Sequence, residues 1–550
     1  MYKSPVGQPK LKFDPLPFEF TPDANNRWVR LASLIPWEEL ELLSDYRSHF
    51  GSTGNPALPF RVAFGALLVQ TRLNLTDEET VEQIRENPYI QHFLGFEGYA
   101  SVKKPFDPSM MVHFRKRLDA KTLKAIDLRI FERRRELEEA GKREISEVTE
   151  EDPSPDEMSG GSASPADGTP PASPPASPAS SVLPSAGKKG PSEKHLSEET
   201  GEEELNGTLI LDATCAPADI TYPTDLKLLM ATREGLEKLI DDIWKRVGKP
   251  GEMKPRTYRK NASRHGTGAS KQRKLGGKKL RKTLKRQLSF VARNLRIIGT
   301  LLSSTTLGET LLSERQRKAL TTAEEVHRQQ KHMLDTKTHR ADGRIVSFSQ
   351  PHIRPIVRGK AGARVEFGAK LLVAIEEGHA FIVHSSWENF NESTLFVEAC
   401  EQYYERNGCW PRIICADMIF RTCANHAWCN EKGIRLSGPR LGRPPKDEKK
   451  LAEIRRYERE DSGKRNEVEG KFGEGKRKYG LDLIRGKLPE TSESMMALQF
   501  IIMNLWRMLR DSLSFFLESV EKVILGISWL FFIHKLRTSL ATVETPDCLP

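Results

Sequence analysis

Residues 143–206 differ in kind from the rest of the chain. They are dominated by Pro, Ser, Ala, Gly and Glu, and they contain no aromatic residue. Such a segment cannot bury enough apolar surface to fold, so we predict a disordered linker. The chain has 550 residues, enough for two or three domains, and the linker divides it into a shorter N-terminal part and a longer C-terminal part.

The N-terminal part, residues 1–142, has the start and stop signals of short helices. Residues 61–73 are apolar on one face, Thr76 to Glu79 form a capping box, and Asn87-Pro88 ends the helix that this box starts. Asp107-Pro-Ser109 precedes a further helix with a basic face, formed by His113, Arg115, Lys116 and Arg117. Spacing alone leaves two interpretations open: a helix-turn-helix-like unit that places this helix in a DNA groove, or a plain helical bundle.

From residue 207 onward, strand-like and helix-like patterns alternate, which predicts an α/β domain over 207–513. The strand candidates are 208–213, 344–349, 368–376, 380–385 and 411–416. The helix candidates are 225–245, 280–302, 310–335, 391–406, 421–431, 447–479 and 492–512. The helical stretch at about 225–340 would be an insertion after the first strand, and 514–550 would be an atypical C-terminal helix and tail. The whole chain is thus predicted to be an α+β multidomain protein.

Three acidic residues indicate a metal site. Asp212 and Asp417 each follow an apolar, strand-like run, and Glu469 lies within a long charged helix. All three are oxygen ligands of the kind that hard divalent cations such as Mg²⁺ prefer. Because pairs of such ions catalyse phosphoryl transfer, the pattern indicates a nuclease or a DNA strand-transfer enzyme.

Two basic residues share the helix face of Glu469. With about 100° per residue, Glu469 lies about 40° and Lys476 about 20° around the helix from Arg465. Val468, Phe472, Tyr479 and Leu483 fall beside them and would be buried. A charged helix face is more often simply solvated, so this spacing alone would not establish a site.

The net charge of +11 is concentrated between Lys254 and Arg296. Residues 254–277 are rich in Gly, Ser and Asn, as in a basic loop. From residue 280 apolar residues recur at helical spacing, which predicts a helix packed on the catalytic domain with a basic face toward DNA phosphates. The residues assigned to that face are Lys278, Lys282, Arg286 and Arg293.

The residues from Arg465 to Lys476 match the core of a Y-R-E-K signature, so the chain resembles bacterial insertion-sequence DDE transposases of the IS-five-like group, which have an InsH-like N-terminal domain. Further similar stretches lie within about 1–140 and 205–510, among them Phe106–Arg117, Tyr222–Asp225, Arg354–Lys360, Glu366–Lys370 and Gly438–Pro444. The resemblance implies a ribonuclease H-like catalytic fold in which Asp212, Asp417 and Glu469 hold two Mg²⁺ ions, with Mn²⁺ as a substitute.

The resemblance further implies cleavage of double-stranded DNA at terminal inverted repeats, followed by attack of the freed 3′-hydroxyl on target DNA. Arg465 and Lys476 would contact phosphates near the cut. The N-terminal domain would handle the element ends, and a homodimer would act in the DNA complex. The implied location is cytoplasmic and nucleoid-associated, in a bacterium or archaeon; no signal peptide is recognisable, and the apolar run Val523–His534 is too short to cross a membrane.

Some positions depart from the family pattern. Ser462 stands where the signature has tyrosine, and the usual basic and acidic residues after Asp417 are replaced in Met418–His426. These departures keep an alternative open, a catalytically inactive copy that acts as a DNA-binding protein or repressor. A third interpretation is a structure-specific nuclease without strand transfer. Cys423, His426 and Cys429 also offer a zinc interpretation, although a structural zinc site normally needs four ligands.

Overall fold

The computed structural model describes residues 21–51, 56–96, 104–150, 205–248, 251–272, 276–306, 308–357, 365–438 and 448–512. These residues form helices and one mixed sheet, so the α+β class predicted from the sequence is confirmed. Residues 151–204 of the predicted linker and the predicted tail 514–550 lie outside the described residues.

Six strands form the sheet of the described chain. They are β1 (Leu205–Pro217), β2 (Arg354–Val357), β3 (Val365–Glu376), β4 (His379–Ser386), β5 (Trp410–Ala416) and β6 (Arg435–Leu436). The order is β2-β3-β1-β5-β6, and β4 also pairs with β3. β1 runs antiparallel to β3 and parallel to β5, which places β1 at the centre between two long partners.

The predicted strand at 344–349 is wrong. These residues form no ladder, although Ile345 and Val346 are buried. The backbone N–H of Ile345 donates instead to the side-chain oxygen of Gln329 at 3.0 Å. The apolar residues of this run are therefore buried in a segment without regular secondary structure. The short strands β2 and β6 were not predicted.

One face of the sheet is packed with aromatic and aliphatic side chains. Leu209, Leu211, Leu372 and Ile414 project into a core that also holds Phe396. The helices on this face are α12 (Phe396–Asn407) and α13 (Cys423–Glu431). On the same strands, side chains of opposite parity point to the other face. The long helix α14 (Glu448–Lys478) packs against β1 and β5.

The N-terminal region is helical, as predicted. Its helices are α1 (Arg27–Leu34), α2 (Trp37–Leu43), α3 (Phe60–Leu73), α4 (Asp77–Glu86), α5 (Pro88–Phe93), α6 (Met110–Arg117) and α7 (Ala120–Glu150). The capping box at α4 is present: the Thr76 hydroxyl accepts from Glu79 N, and the Glu79 carboxylate accepts from Thr76 N. Asn87 caps α5 with its side-chain oxygen, so this residue both ends one helix and starts the next.

After β1 the chain forms a module of four helices with its own core. They are α8 (Asp225–Val247), α9 (Arg259–Ser270), α10 (Gly277–Ser303) and α11 (Glu314–Thr336). Leu229, Leu236, Ile240, Val291 and Val326 are among its buried residues. The predicted helical insertion is thus present, and it includes α9, a helix where the composition suggested a loop.

The N-terminal helices and the sheet belong to one compact unit, residues 1–136 with 205–550. Asp127 of α7 accepts hydrogen bonds from Asn504 at 3.1 Å and lies 3.0 Å from His379 Nε2 of β4. Asn504 belongs to the last described helix, α15, at 489–512. Trp28 of α1 packs edge-on against Trp506 of the same helix, with ring centroids 5.5 Å apart.

Residues 137–150, at the end of α7, belong to a second unit. α7 continues to Glu150, eight residues into the segment predicted as a linker. Within the ranges that the structure describes, no helix combines the length and the apolar character needed to cross a membrane.

Candidate metal centre and DNA-contacting surfaces

The two predicted aspartates lie at equivalent positions of neighbouring strands. β1 and β5 are parallel and pair Leu211 with Ala416. Asp212 and Asp417 each follow these partners directly, so their carboxylates come side by side. Leu211 and Ala416 belong to the core with α12 and α13. Because side chains alternate along a strand, both aspartates point toward the opposite face, where α14 lies.

Helix α14 brings a cation between the carboxylates. The Arg465 guanidinium lies 3.2 Å from the Asp417 carboxylate and 4.0 Å from that of Glu469. Val468, which is fully buried, fixes this face of the helix against the fold. About one turn before Arg465, Asp461 accepts two hydrogen bonds of 2.7 Å from Arg435 of β6. Arg465 therefore joins Asp417, at the end of β5, to the helical Glu469.

Asp212 is the most perturbed carboxyl group of this site. Burial raises its pKa to about 6, and the negative charges of Asp417 and Glu392 add to the increase. The backbone N–H of Ala213, which donates to Asp212 at 2.7 Å, and the positive charge of Arg465 act in the opposite direction. The carboxylates thus form a centre of negative potential that a cation stabilises.

The donor set is chemically suited to a hard divalent ion, because every nearby anionic ligand is a carboxylate oxygen. Across the described ranges, no three acidic, histidine or cysteine side chains are close enough to hold one ion together. At this site the Arg465 guanidinium occupies the space between Asp417 and Glu469. An ion at this position would have to displace it.

Glu392, whose charge acts on Asp212, and its partner Lys370 were not proposed as site residues from the sequence. Lys370 of β3 lies 2.8 Å from the Glu392 carboxylate and donates to the Phe390 carbonyl at 2.8 Å and to the Asn389 side chain at 3.2 Å. It thereby fixes the loop before α12 to the sheet. Lys370 belongs to the Glu366–Lys370 stretch that carried part of the resemblance, but no spacing pattern pointed to Glu392.

The remaining residues that the sequence singled out, on α14 and in the segment after Asp417, are half-buried or exposed. Lys476 is half-buried, two turns after Glu469. Ser462, the departure from the signature, is exposed and leaves the packing of α14 intact. Met418 and Ile419, directly after Asp417, are 60% and 48% exposed. The substituted segment therefore presents apolar side chains beside the carboxylates.

The basic residues predicted on α6 differ in their surroundings. His113 and Lys116 are exposed. Arg115 instead makes hydrogen bonds of 2.9 and 2.7 Å to the two carboxylate oxygens of Asp77. The Arg117 guanidinium lies over the Phe50 ring at 4.3 Å. The two arginines are thus used within the helical region, and their predicted role in reading DNA remains a prediction.

The basic residues predicted on α10 are mostly at the surface. Lys278, Lys282 and Arg286 are exposed. Arg293 is half-buried, with its guanidinium over the rings of Tyr258 and Phe290 at 4.7 and 5.5 Å. The first three can reach a phosphate backbone, whereas Arg293 holds the start of α9 against α10.

The cysteines near α13 do not form a zinc site in the described residues. Cys423 is exposed and Cys429 is buried, so they lie on different faces of this helix. Burial raises the pKa of the Cys429 thiol to about 11, which is typical of an ordinary core cysteine.

Comparisons with known proteins concern both ends of the chain. Residues 17–117 match a family model described as "Transposase domain (DUF772)", and residues 414–506 match one described as "Transposase DDE domain". A protein of Rhizobium meliloti, "Uncharacterized protein ORF8 in nfe locus", is 36% identical over 98 residues, which are 18% of this chain and 46% of that protein. The chain therefore spans about half the length of this relative. No solved structure matches significantly.

The second match includes Asp417, the whole of α14 and most of α15, whereas Asp212 lies outside both matches. Two separate segments are thus similar to transposase domains. The C-terminal match is to a DDE domain, and the N-terminal match is to a second kind of transposase domain.

Proposed function

We propose that this chain is a transposase that cuts double-stranded DNA at the ends of an insertion sequence and joins the freed 3′-hydroxyl ends to target DNA. The observation that carries the proposal is the arrangement of Asp212 and Asp417 on adjoining parallel strands, with α14 presenting Arg465 and Glu469 to them. The transposase DDE model covers all of these residues except Asp212.

In this proposal Asp212, Asp417 and Glu469 bind the divalent ions, with Mg²⁺ as the natural metal and Mn²⁺ as a substitute. Such ions activate the attacking oxygen and stabilise the leaving oxygen of an in-line displacement. The protein requires no covalent intermediate. We assign to the three carboxylates a ribonuclease H-like arrangement, in which strand ends and one helix converge on the scissile phosphate.

The basic residues of α14 would act on the DNA. With a divalent ion held by these carboxylates, Arg465 would be free of Asp417 and Glu469, and its planar fork would suit two oxygens of one phosphate. Lys476, two turns later, would supply a compact positive charge to a phosphate farther along the strand. A homodimer would bring two element ends together.

The test is nicking and joining of duplexes that carry the inverted repeats flanking the gene. Asp212→Asn, Asp417→Asn and Glu469→Gln should each reduce Mg²⁺-dependent nicking to background and leave DNA binding nearly unchanged, because the carboxylates bind metal rather than DNA. Glu460→Gln on the same helix is the matched control, since Glu460 is exposed and pairs with Arg456.

The outcomes separate the alternatives. Nicking with joining supports the transposase, and nicking without joining supports the structure-specific nuclease. DNA binding without metal-dependent nicking by the unmodified protein would identify the inactive copy. Full activity of any one of the three variants would remove that residue from the site.

A further inference from the structure

Helix α9 forms although its sequence disfavours a helix. Residues 259–270 include Asn, two Ser, Thr and two Gly, all poor helix formers. Packing stabilises it instead. Ala262 and Gly266 are buried, and the Gln287 side chain of α10 donates to the Ala262 carbonyl at 2.8 Å. A Cβ at Gly266 would lie 2.7 Å from the sulfur of Met230, so α9 approaches its neighbours closely.

The start of this helix is held firmly to α8 and α10. Arg259 makes hydrogen bonds of 3.0 and 2.7 Å to Asp241 of α8, and Lys254 pairs with the same carboxylate. Tyr258 adopts φ +54°, a left-handed conformation that is unfavourable for a bulky residue. Its ring lies under the Arg293 guanidinium. The backbone direction at the entrance to α9 is therefore fixed.

The opposite face of α9 is exposed and rich in hydrogen-bonding groups. Its members are Lys260, Asn261, Arg264, His265, Thr267 and Gly268. At about 100° per residue they cover an arc of about 160°. No acidic residue lies on this arc. Among the described residues, none of the four longer side chains has a hydrogen-bonding or charged partner.

Gly268 is an independent indication of a ligand on this face. Unlike Gly266, it is not required for packing, because a Cβ at this position would meet nothing within 4 Å. A glycine within a helix is unfavourable relative to alanine, so packing gives no reason for it here. A bare helical backbone does permit close approach of another molecule.

We propose that α9 lies in the major groove of duplex DNA and reads its sequence. The major groove admits an α-helix, and its base edges are recognised by the side chains found here, since Arg pairs with guanine and Asn with adenine. Arg264 and Asn261 are the reading residues. Lys278, Lys282 and Arg286 of α10 bind the adjoining phosphates, which adds affinity without sequence information. This inference rests on the proposed function only for the identity of the DNA, the ends of the element.

The experiment selects binding sites from a random 30-base-pair duplex library with the full-length protein. The unmodified protein should enrich one motif. Asn261→Ala with Arg264→Ala should lose selectivity at the contacted positions, with about a tenfold or greater fall in specific over non-specific affinity per lost contact. Lys282→Ala with Arg286→Ala should enrich the same motif, bind all sequences more weakly and show a smaller salt dependence.

Two further variants exclude a folding defect. Gly268→Ala should keep or raise the melting temperature and still weaken selection, because the added methyl group stands at the groove rather than in the core. Arg315→Ala with Lys331→Ala, exposed on α11 of the same module, should select the same motif as the unmodified protein.

An unchanged motif from the Asn261/Arg264 variant would overturn the inference, and so would the absence of any motif from the unmodified protein. A motif that is lost in this variant but absent from the DNA flanking the gene would support α9 as the reading helix and contradict the proposed function. Metal-dependent nicking by the unmodified protein, together with an unchanged motif in the Asn261/Arg264 variant, would support the proposed function and contradict α9 as the reading helix.

Discussion

Asp212 is half-buried, where a carboxylate is poorly solvated, and the charges of two other carboxylates act on it. The positive charge of Arg465 offsets the poor solvation and the charge repulsion at Asp212 only partly. Its partners Asp417 and Glu469 have side chains that are 50% and 64% exposed, and ion pairs of this kind contribute about 0–1 kcal/mol. The guanidinium is therefore a weakly bound counter-ion. We expect a divalent ion to displace it readily.

The raised pKa of Asp212 predicts a pH-dependent stability of the metal-free protein. The folded-state pKa of about 6 exceeds the ordinary 3.8. Between these values the folded state binds more protons than the unfolded state, so stability falls as the pH rises through this window. Asp212→Asn should be more stable than the unmodified protein above pH about 6, by at most about 3 kcal/mol.

Denaturant unfolding in EDTA measures this difference. It should disappear below pH about 4, where the carboxyl group is neutral in both states. Equal stability of the unmodified protein and Asp212→Asn at every pH would mean that Asp212 is not strained by burial.

Helices and strands were predicted correctly where the apolar periodicity and the terminating residues of the sequence agree with the packing in the structure. The apolar strands before Asp212 and Asp417 and the charged helix around Glu469 are examples. α9 was missed because its composition is that of a loop and its helix depends on contacts with Met230 and Gln287. Leu483 was expected on the buried stripe of α14, but it lies beyond the helix end and is 42% exposed.

The local sequence of α6 does not show which of its basic residues are available to bind DNA. Its basic pattern predicted a DNA-reading helix, yet Arg115 pairs with Asp77 at side-chain exposures of 14% and 26%. This pairing joins residues 38 positions apart and leaves no local signal. The sequence therefore indicated that basic residues are present but not which of them is available to DNA.

Arg115→Ala should consequently destabilise the protein rather than change its DNA preference. Loss of hydrogen bonds to a partly buried carboxylate should lower the free energy of unfolding by about 1–3 kcal/mol. Lys116→Ala, exposed on the same helix, is the control and should have an effect below about 0.5 kcal/mol. Denaturant unfolding and duplex binding measure the two effects. A variant of normal stability that no longer prefers the terminal repeats would confirm Arg115 as a reading residue.

At the scale of the molecule, contacts between residues far apart in sequence join the N-terminal helices to the sheet. Asp127 is buried between His379 and Asn504, and Arg134 donates to the Glu377 carbonyl at 2.7 Å. The sequence predicted a linker between two parts from composition alone. It could not show that the parts pack together, because such contacts depend on three-dimensional complementarity.

A cut within the linker should therefore leave the two parts associated. A site-specific protease sequence inserted between Gly160 and Gly161 allows the chain to be cut there, and the two fragments should elute together in size-exclusion chromatography. Asp127→Ala, which leaves the buried side chains of His379 and Asn504 without this partner, should weaken the association. Separate elution of the fragments from the otherwise unmodified protein would show that the two parts are independent domains joined only by the linker.

Asp212, Asp417 and Glu469 are expected to bind divalent ions together. Titration with Mn²⁺, with free Mn²⁺ measured by electron paramagnetic resonance, tests it most directly. Asp212→Asn, Asp417→Asn and Glu469→Gln should each weaken binding about tenfold or more, because each removes a charged ligand. Arg465→Gln should strengthen binding, since it removes the competing cation, and Glu460→Gln should have no effect. Mn²⁺ binding as tight in all three carboxylate variants as in the unmodified protein would show that these residues do not form the metal site.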